Sequence, residues 1–168
     1  TSTHLELLKT MRRQSVKGSL FHMLNRTVTP MGSRLLKNWI SYPLINLDRI
    51  RERSAAVACL RDDPLLREDL RDELKRVYDM ARLNGRIALK RANGRDLVAL
   101  KTSLERLPFI RNALIDSNST LLSTIASQLD PLQDIAVLIE EAIQEEPPVS
   151  LKEGGVIKEG YNEALDRL

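Results

Sequence analysis

The chain has 168 residues, with 26 Lys or Arg against 23 Asp or Glu, a net charge of +3 and a pI near 9.2. This mixed, mildly basic balance permits contact with nucleic acid without requiring it. Aromatic residues make up only 4% of the chain, and Leu, Ile, Val and Ala dominate the apolar set. A core built from the aliphatic ridges of helices is therefore expected, in a single domain over residues 1–168.

The cellular location is inferred from what the chain lacks. Cys59 is the single cysteine, and it lies in an apolar run, so no internal disulfide can form. No apolar run approaches the roughly 20 residues of a membrane span. The N-terminus does not have the basic and then apolar order of a signal peptide. These features predict a reduced, cytoplasmic protein that makes no membrane contact.

Caps and prolines divide the first two thirds of the chain into helices. Thr29 before Pro30 has the form of an N-cap with proline at the first helical position, and it predicts a helix to about Ser41. The apolar stripe of this helix, Met31 with Leu35 and Trp39, is predicted to lie in the core. Further helices are predicted over about 20–24, 46–60, 64–77, 80–93 and 97–107, the last of them closed by Pro108.

Two more helices are predicted in the last third. The first follows a cap at Asn118 or Ser119 and continues to about 129. The second starts at 130–131 and is stopped by the prolines at 147–148. Val137 and Leu138 widen the apolar face of this second helix, which is therefore predicted to be the most buried one.

The C-terminal region carries the only strand-like signal in the sequence. Residues 149–157, with glycines at their centre, predict two short extended pieces around a turn. Asn162 then predicts the start of a helix that continues to the last residue, so we expect the chain to be cut from a longer protein. The predicted fold class is all-α, an irregular multi-helix bundle with a short extended hairpin-like segment near the C-terminus.

Two basic clusters are candidates for binding. Arg82, Arg86 and Lys90 recur every four residues and are predicted to form one ridge of a helix, which Arg91 and Arg95 extend. This ridge is a candidate contact for DNA or for acidic residues of another domain, although ordinary solvation explains it as well. The same two interpretations apply to a second cluster near the N-terminus, formed by Lys9, Arg12, Arg13 and Lys17.

Catalytic and metal-binding patterns are not found in the sequence. His4 and His22 have no Cys or carboxylate pair placed to complete a metal site. No serine lies in a Gly-x-Ser-x-Gly setting, and the paired glycines at 154–155 are not followed by Gly-Lys-Ser or Gly-Lys-Thr. The glutamates at 140, 141, 145 and 146 are interpreted as a solvated acidic turn. The sequence therefore predicts no catalytic, cofactor-binding or metal-binding residue.

Several short blocks of the sequence form a recognisable series. They are GSLF at 18–21, LNRTVTPMGSRLL at 24–36 with Trp39, RIAL at 86–89 with RDL at 95–97, and PP at 147–148 followed by GGVI at 154–157 and GYNE at 160–163. Together these blocks resemble the core domain of the bacterial MutS family of DNA mismatch-recognition proteins, over about 5–168 and in the order of that family. Two positions depart from it, because Asn25 and Gly94 stand where Asp and Pro are more usual.

The resemblance implies that this chain is the first segment of a helical lever domain. In the family, this domain lies between a mismatch-reading domain and an ATPase, and residues 161–168 would begin the helix that leads into the DNA clamp. The clamp, the mismatch-reading motif and the ATPase motifs have no match here, so no catalytic or base-reading residue is transferred. For the whole protein, the resemblance implies mismatched double-stranded DNA, ATP with Mg²⁺, a homodimer and MutL as ligands and partners, at the bacterial nucleoid.

Three functional hypotheses follow from these observations. The first is a structural lever that couples the ATPase domain to DNA clamping and performs no reaction itself. The second is a stand-alone helical module that binds the DNA backbone through the basic residues from 82 to 95. The third is a helical adaptor that binds a protein partner through an exposed apolar strip.

Overall fold

The computed structural model describes residues 5–167, and within them the chain is helical, with no β-strand. The predicted all-α class is therefore confirmed. A turn of 3₁₀ helix at Leu151–Glu153 precedes the last helix. The α-helices of this part of the chain are α1 (Leu20–Leu24), α2 (Pro30–Ser41), α3 (Leu47–Asp62), α4 (Pro64–Lys75), α5 (Met80–Ala88), α6 (Gly94–Leu104), α7 (Leu107–Ile115), α8 (Thr120–Gln128), α9 (Gln133–Ala142) and α10 (Glu163–Asp166).

Side-chain caps start most of these helices at the predicted positions. In each case, an oxygen of the cap accepts a hydrogen bond from a backbone N–H in the first turn, which has no partner within the helix. Asn93 and Asp96 form a reciprocal capping box at the start of α6. The structure confirms the predicted caps Thr29, Ser119 and Asn162, and Ser19, Asn46 and Asp63 cap α1, α3 and α4 in the same way.

The larger core lies between α3, α4, α7 and α8. Ala56 and Leu70 meet Leu114 and Ala126 there, and Ala126 is completely buried. The two small alanines lie among larger aliphatic side chains, which lets the helices approach closely. This core fixes the four helices as one packed unit.

A smaller core joins α6, α9 and the segment before α10. Ile139 of α9 and Ile143, directly after that helix, pack against Leu97 of α6 and against Val156 and Ile157. The loop before α5 is fixed to α6 through Ser103, whose hydroxyl is fully buried. This hydroxyl accepts a hydrogen bond from the N–H of Tyr78 at 3.0 Å and donates to the carbonyl of Ala99 at 2.8 Å.

The stripe predicted for the centre of the core lies largely at the surface. Met31 does pack against the larger core, but Leu35 is 49% exposed and Trp39 is 40% exposed. The guanidinium of Arg53 covers the indole of Trp39, 3.7 Å from the ring centroid. The prediction was wrong because only the first turn of α2 reaches the core. An apolar stripe indicates which face of a helix is covered, but it does not show whether the core or a surface side chain covers it.

The last third differs from the prediction in three respects. Val137 and Leu138 are each 53% exposed, so α9 is not the most buried helix, and it begins at Gln133 rather than at 130–131. The helix α7 was not predicted, although Leu107, Ile110 and Leu114 are all buried. Pro108 lies in the first turn of α7, where proline is tolerated because its missing N–H would have no partner, so it opens one helix rather than only closing another.

The expected extended segment is present near the C-terminus, and it pairs with the residue that follows α9. Ile157 forms an isolated antiparallel bridge with Ile143, at the end of that helix. The residues expected to pair with it, at 149–153, instead form the 3₁₀ turn that is capped by Ser150. The predicted helix after Asn162 is confirmed over Glu163–Asp166, and its last predicted residue, Leu168, lies outside the described residues.

Candidate functional site

The three basic residues predicted to line one helical ridge, Arg82, Arg86 and Lys90, do not share it. Helix α5 ends at Ala88, and Lys90 has a left-handed backbone with φ of 54°. The N–H of Arg91 donates to the carbonyl of Arg86 at 2.8 Å and closes this end of the helix. Spacing of four residues predicts a common ridge only while the helix continues, so Lys90 leaves the line of Arg82 and Arg86.

Two of the five side chains are held by the protein itself. Arg86 forms an ion pair with Asp96 at 3.0 Å, and the side chain of Asp96 is only 13% exposed. The Nε–H of Arg95 donates to the carbonyl of Pro147 at 3.0 Å. These two arginines therefore tie the start of α6 to α5 and to the segment at 147, and they are less available to a ligand than the sequence indicated.

The other three side chains are free for an external partner. Arg82, Lys90 and Arg91 are exposed, and none of them forms an ion pair with another of the residues from 5 to 167. Lys90 and Arg91 lie just beyond the C-terminal end of α5, where the negative end of the helix dipole favours cations, whereas Arg82 lies in the first turn of the helix. Their proposed role in contacting DNA or another domain stays a prediction.

A second link joins α2 to the start of α5. The guanidinium of Arg34 donates two hydrogen bonds of 2.7 Å to the carboxylate of Asp79. The same carboxylate accepts the N–H of Arg82 at 3.2 Å as the N-cap of α5. The hydrogen bonds from Arg34 lower the pKa of Asp79 from 3.8 to about 2 because they stabilise its charged form.

The most connected charged group of the smaller core is Glu140. Its carboxylate pairs with Lys101 of α6 and, at 3.3 Å, with Lys158 of the segment before α10. The ammonium of Lys158 also donates to the backbone carbonyl of Glu140 at 2.6 Å. Hydrogen bonds from Lys101, and then from Lys158, lower the pKa of Glu140, and the same contact with Glu140 raises the pKa of Lys101. We call these three residues the Glu140 junction.

Backbone hydrogen bonds reinforce the Glu140 junction. The N–H of Gln144 donates to the carbonyl of Val156 at 3.0 Å, and the N–H of Lys158 donates to the carbonyl of Ala142 at 2.8 Å. The segment that leads into α10 is therefore fixed to the end of α9 on both sides of the bridge between Ile143 and Ile157.

The sequence predicted that the glutamates at 140, 141, 145 and 146 are all solvated. This prediction is correct for three of them and wrong for Glu140. Glu141, Glu145 and Glu146 are exposed. Glu140 lies three residues before the buried Ile143, on the side of α9 that faces α6. This spacing in the sequence could have indicated a partly buried carboxylate, although it could not name Lys101 or Lys158 as the partners.

A close backbone contact explains the unusual glycine of the RDL block. Gly94 is buried at the start of α6, and a Cβ added to it would lie 2.7 Å from the Cβ of Pro147 and 3.0 Å from a methyl of Val156. Such distances require a neighbour to move. Gly94 therefore allows the segment at 147 to pack directly on α6, where the Nε of Arg95 holds it.

Residues 5–167 contain no group of three or more His, Cys, Asp or Glu side chains placed to hold a metal ion. Each helix of this part is too short or too polar to cross a membrane.

The comparison with known families identifies this arrangement of helices. The family model described as MutS domain III matches residues 1–167 of the chain. The chain belongs to the MutS domain III family. The resemblance seen in the sequence blocks is therefore confirmed.

Individual relatives of this MutS domain III agree with the family match. The chain is 48% identical over all its residues to the DNA mismatch repair protein MutS of Alkaliphilus oremlandii, and 48% identical to the protein of the same name from Symbiobacterium thermophilum. The protein of that name from Methanosarcina barkeri is 46% identical, again over the whole chain. In each case, the match covers 19% of the relative, so the chain spans about a fifth of the length of these proteins.

Proposed function

We propose that this MutS domain III is a rigid connector that couples an ATPase domain to DNA clamping and mismatch binding within a mismatch repair protein. The whole protein would bind mismatched double-stranded DNA, use ATP and Mg²⁺ through another domain, form a homodimer and act with MutL in the cytoplasm, at the nucleoid. No reaction is assigned to the residues of this chain. The names of the relatives, all DNA mismatch repair proteins, support the assignment to this process.

The observation that carries the proposal is the Glu140 junction. It joins α6, α9 and the segment before α10 through two lysines and one carboxylate, and two backbone hydrogen bonds lie beside it. A displacement of α9 would therefore be passed to the segment that ends in α10. A single hydrophobic contact could slide instead, whereas directional hydrogen bonds to a charged group resist sliding.

The two cores are suited to move as one body. The buried hydroxyl of Ser103 links α6 to the loop before α5, and the pair of Arg34 with Asp79 links α2 to α5. Packed helices with few alternative arrangements transmit a shift as a rigid body rather than absorb it.

The test compares two neighbouring glutamates in a full-length MutS-family protein that carries this chain. Glu140→Ala removes the centre of the junction, and Glu141→Ala is the matched control because Glu141 is exposed and forms no ion pair with residues 5–167. We expect Glu140→Ala to keep its ATPase rate and its affinity for a mismatched duplex within about twofold and to slow ATP-triggered release from that duplex by about fivefold or more.

Two outcomes would contradict the connector role. One is that ATP-triggered release is unchanged in Glu140→Ala although the circular dichroism and melting of the variant match those of the parent. The other is that Glu141→Ala slows release equally. Glu140→Gln keeps the hydrogen-bonding oxygen and loses the charge, so it should give an intermediate release rate if the junction acts through its ion pairs.

A DNA-backbone module is kept as a second candidate because Arg82, Lys90 and Arg91 are exposed and unpaired within the described residues. It predicts that charge reversal at these three positions weakens binding to matched and mismatched duplexes alike. The slope of the logarithm of affinity against the logarithm of salt concentration should fall by the equivalent of up to about three phosphate contacts. An unchanged affinity and an unchanged slope against salt would exclude this candidate.

A further inference from the structure

The basic residues of the chain are concentrated near its N-terminus. Residues 7–47 contain seven Lys or Arg and no Asp or Glu, although the whole chain has a net charge of only +3. The remainder is therefore acidic on balance. Such a division of charge within one small chain points to a surface of one sign.

An apolar groove lies within this basic segment, between the loop before α1 and the end of α2. It has a volume of about 490 Å³. Its apolar lining consists of Leu7, Leu8, Val16, Phe21 and Tyr42. Tyr42 is 76% exposed and Val16 is 43% exposed, so the apolar floor faces solvent.

The loop wall of the groove is held in place by the backbone of the protein. The N–H of Phe21 donates to the carbonyl of Leu7 at 2.9 Å, and the N–H of Leu20 donates to the carbonyl of Glu6 at 3.1 Å. Across the loop, the N–H of Thr10 donates to the carbonyl of Ser15 at 2.8 Å. The groove is therefore formed before any partner binds, which limits the entropy lost on binding.

The rim of the groove is positively charged. Lys9 lines it from the loop and Lys37 lines it from α2. The loop that supplies Val16 also carries Arg12, Arg13 and Lys17, all exposed.

These cations have no acidic partner among the described residues. The ion pairs found within 5–167 involve other lysines and arginines. The carboxylate of Glu6, just before the basic segment, instead accepts the backbone N–H of Met11 at 2.6 Å. The rim charges are therefore available to an external anion.

We propose that this groove binds an acidic protein segment that inserts one bulky apolar side chain between Lys9 and Lys37. The apolar floor decides the class of partner. A nucleic-acid backbone would satisfy the cations and leave Leu8, Phe21 and Tyr42 without contacts, whereas a peptide supplies both an apolar anchor and flanking carboxylates.

The test uses a full-length MutS-family protein that carries this chain, immobilised for selection from a phage-displayed library of random twelve-residue peptides. Each selected peptide is then synthesised with fluorescein and titrated by fluorescence polarisation. We expect the selected sequences to share Asp or Glu on both sides of Leu, Ile, Phe or Trp. The double variant Lys9→Glu with Lys37→Glu should weaken their binding by about tenfold or more.

Matched variants separate the charge from the apolar floor. Tyr42→Ala should weaken binding by about threefold to tenfold through lost apolar contact, and Tyr161→Ala should leave it within twofold, because Tyr161 is exposed outside the groove. Lys152→Glu changes the net charge at an exposed site outside the groove and should also have no effect. Circular dichroism of each variant checks that the helices are retained.

Three results would overturn the proposal. Selection could return no enriched peptide, or peptides without acidic residues. The selected peptides could bind the Lys9→Glu, Lys37→Glu variant as tightly as the parent. A duplex of twelve base pairs could compete for the groove, with its affinity lost in that same variant and unchanged in Tyr42→Ala, which would assign the surface to a nucleic-acid backbone. The connector role does not depend on this groove, because the Glu140 junction lies on α6 and α9.

Discussion

The guanidinium of Arg34 in α2 and the carboxylate of Asp79 before α5 form a pair with two hydrogen bonds of 2.7 Å across 45 positions of the chain. The same carboxylate caps α5 through the N–H of Arg82. One side chain therefore starts a helix and fixes its direction relative to another helix. This double role explains why the pKa of Asp79 is lowered to about 2.

The pair predicts a specific loss of stability in acid. The folded pKa of Asp79, about 2, lies below its ordinary value of 3.8, so its contribution is present above about pH 4 and is lost as the pH falls through about 2. We expect Arg34→Gln to lower the free energy of unfolding at pH 7 and to lower it much less at pH 2, where the carboxyl of Asp79 becomes protonated. Urea unfolding followed by circular dichroism measures the free energy of unfolding at both pH values.

The control is Arg49→Gln, at an exposed arginine without an ion pair in the described residues. Equal losses for Arg34→Gln at the two pH values would be inconsistent with this account.

Burial predicts that Trp39 matters less to folding than Leu104. Trp39 is 40% exposed and covered on one side by Arg53, so Trp39→Ala should cost about 1 kcal/mol. Leu104 is only 2% exposed, and Leu104→Ala should cost about 2–5 kcal/mol because a cavity remains. Thermal melting of the two variants ranks them directly. The reverse order would mean that the end of α2 lies in the core after all.

Two glycines are expected to respond in opposite directions to alanine. Gly94→Ala should cost about 1–3 kcal/mol, because the new Cβ meets Pro147 at 2.7 Å and one of the two must move. Gly85→Ala should stabilise the protein by about 0.5–1 kcal/mol, because the site is within α5 and no atom lies within 4 Å of the added Cβ. Chemical denaturation of both variants provides the comparison, and an unchanged or raised stability in Gly94→Ala would contradict the packing described for Pro147.

The two arginines of α5, Arg82 and Arg86, are expected to differ in their contribution to stability. Arg86→Ala should lower the free energy of unfolding by about 1 kcal/mol, because Asp96 is 13% exposed and loses its cation. Arg82→Ala should stay within about 0.5 kcal/mol of the parent, because its side chain is exposed. Differential scanning calorimetry distinguishes the two cases. Similar melting temperatures for the two variants would indicate that Arg86 is as free as Arg82.

Local signals in the sequence predicted the helices other than α7, whereas long-range contacts could not be predicted from them. A cap such as Thr29 works through an N–H three residues away, so the sequence contains both partners. The exposure of Trp39 depends on which elements pack on α2. The end of α5 at Ala88 is followed by the left-handed residue Lys90, which periodicity does not predict. In the Glu140 junction, Glu140 lies 39 positions from Lys101 and 18 positions from Lys158. Helical periodicity relates only residues a few positions apart, so it could not predict these pairs.

The most direct test of the connector role measures the distance between α4 and the segment before α10 through the ATP cycle. Spin labels at Glu68→Cys and Glu159→Cys, both exposed positions, are introduced into a full-length MutS-family protein that carries this chain and whose other cysteines, Cys59 among them, are replaced. Double electron–electron resonance then gives the distance on a mismatched duplex with and without ATP. A rigid connector predicts the same distance distribution in both states while ATP still triggers release. A distribution that shifts with ATP by more than its own width would show that this domain deforms rather than transmits.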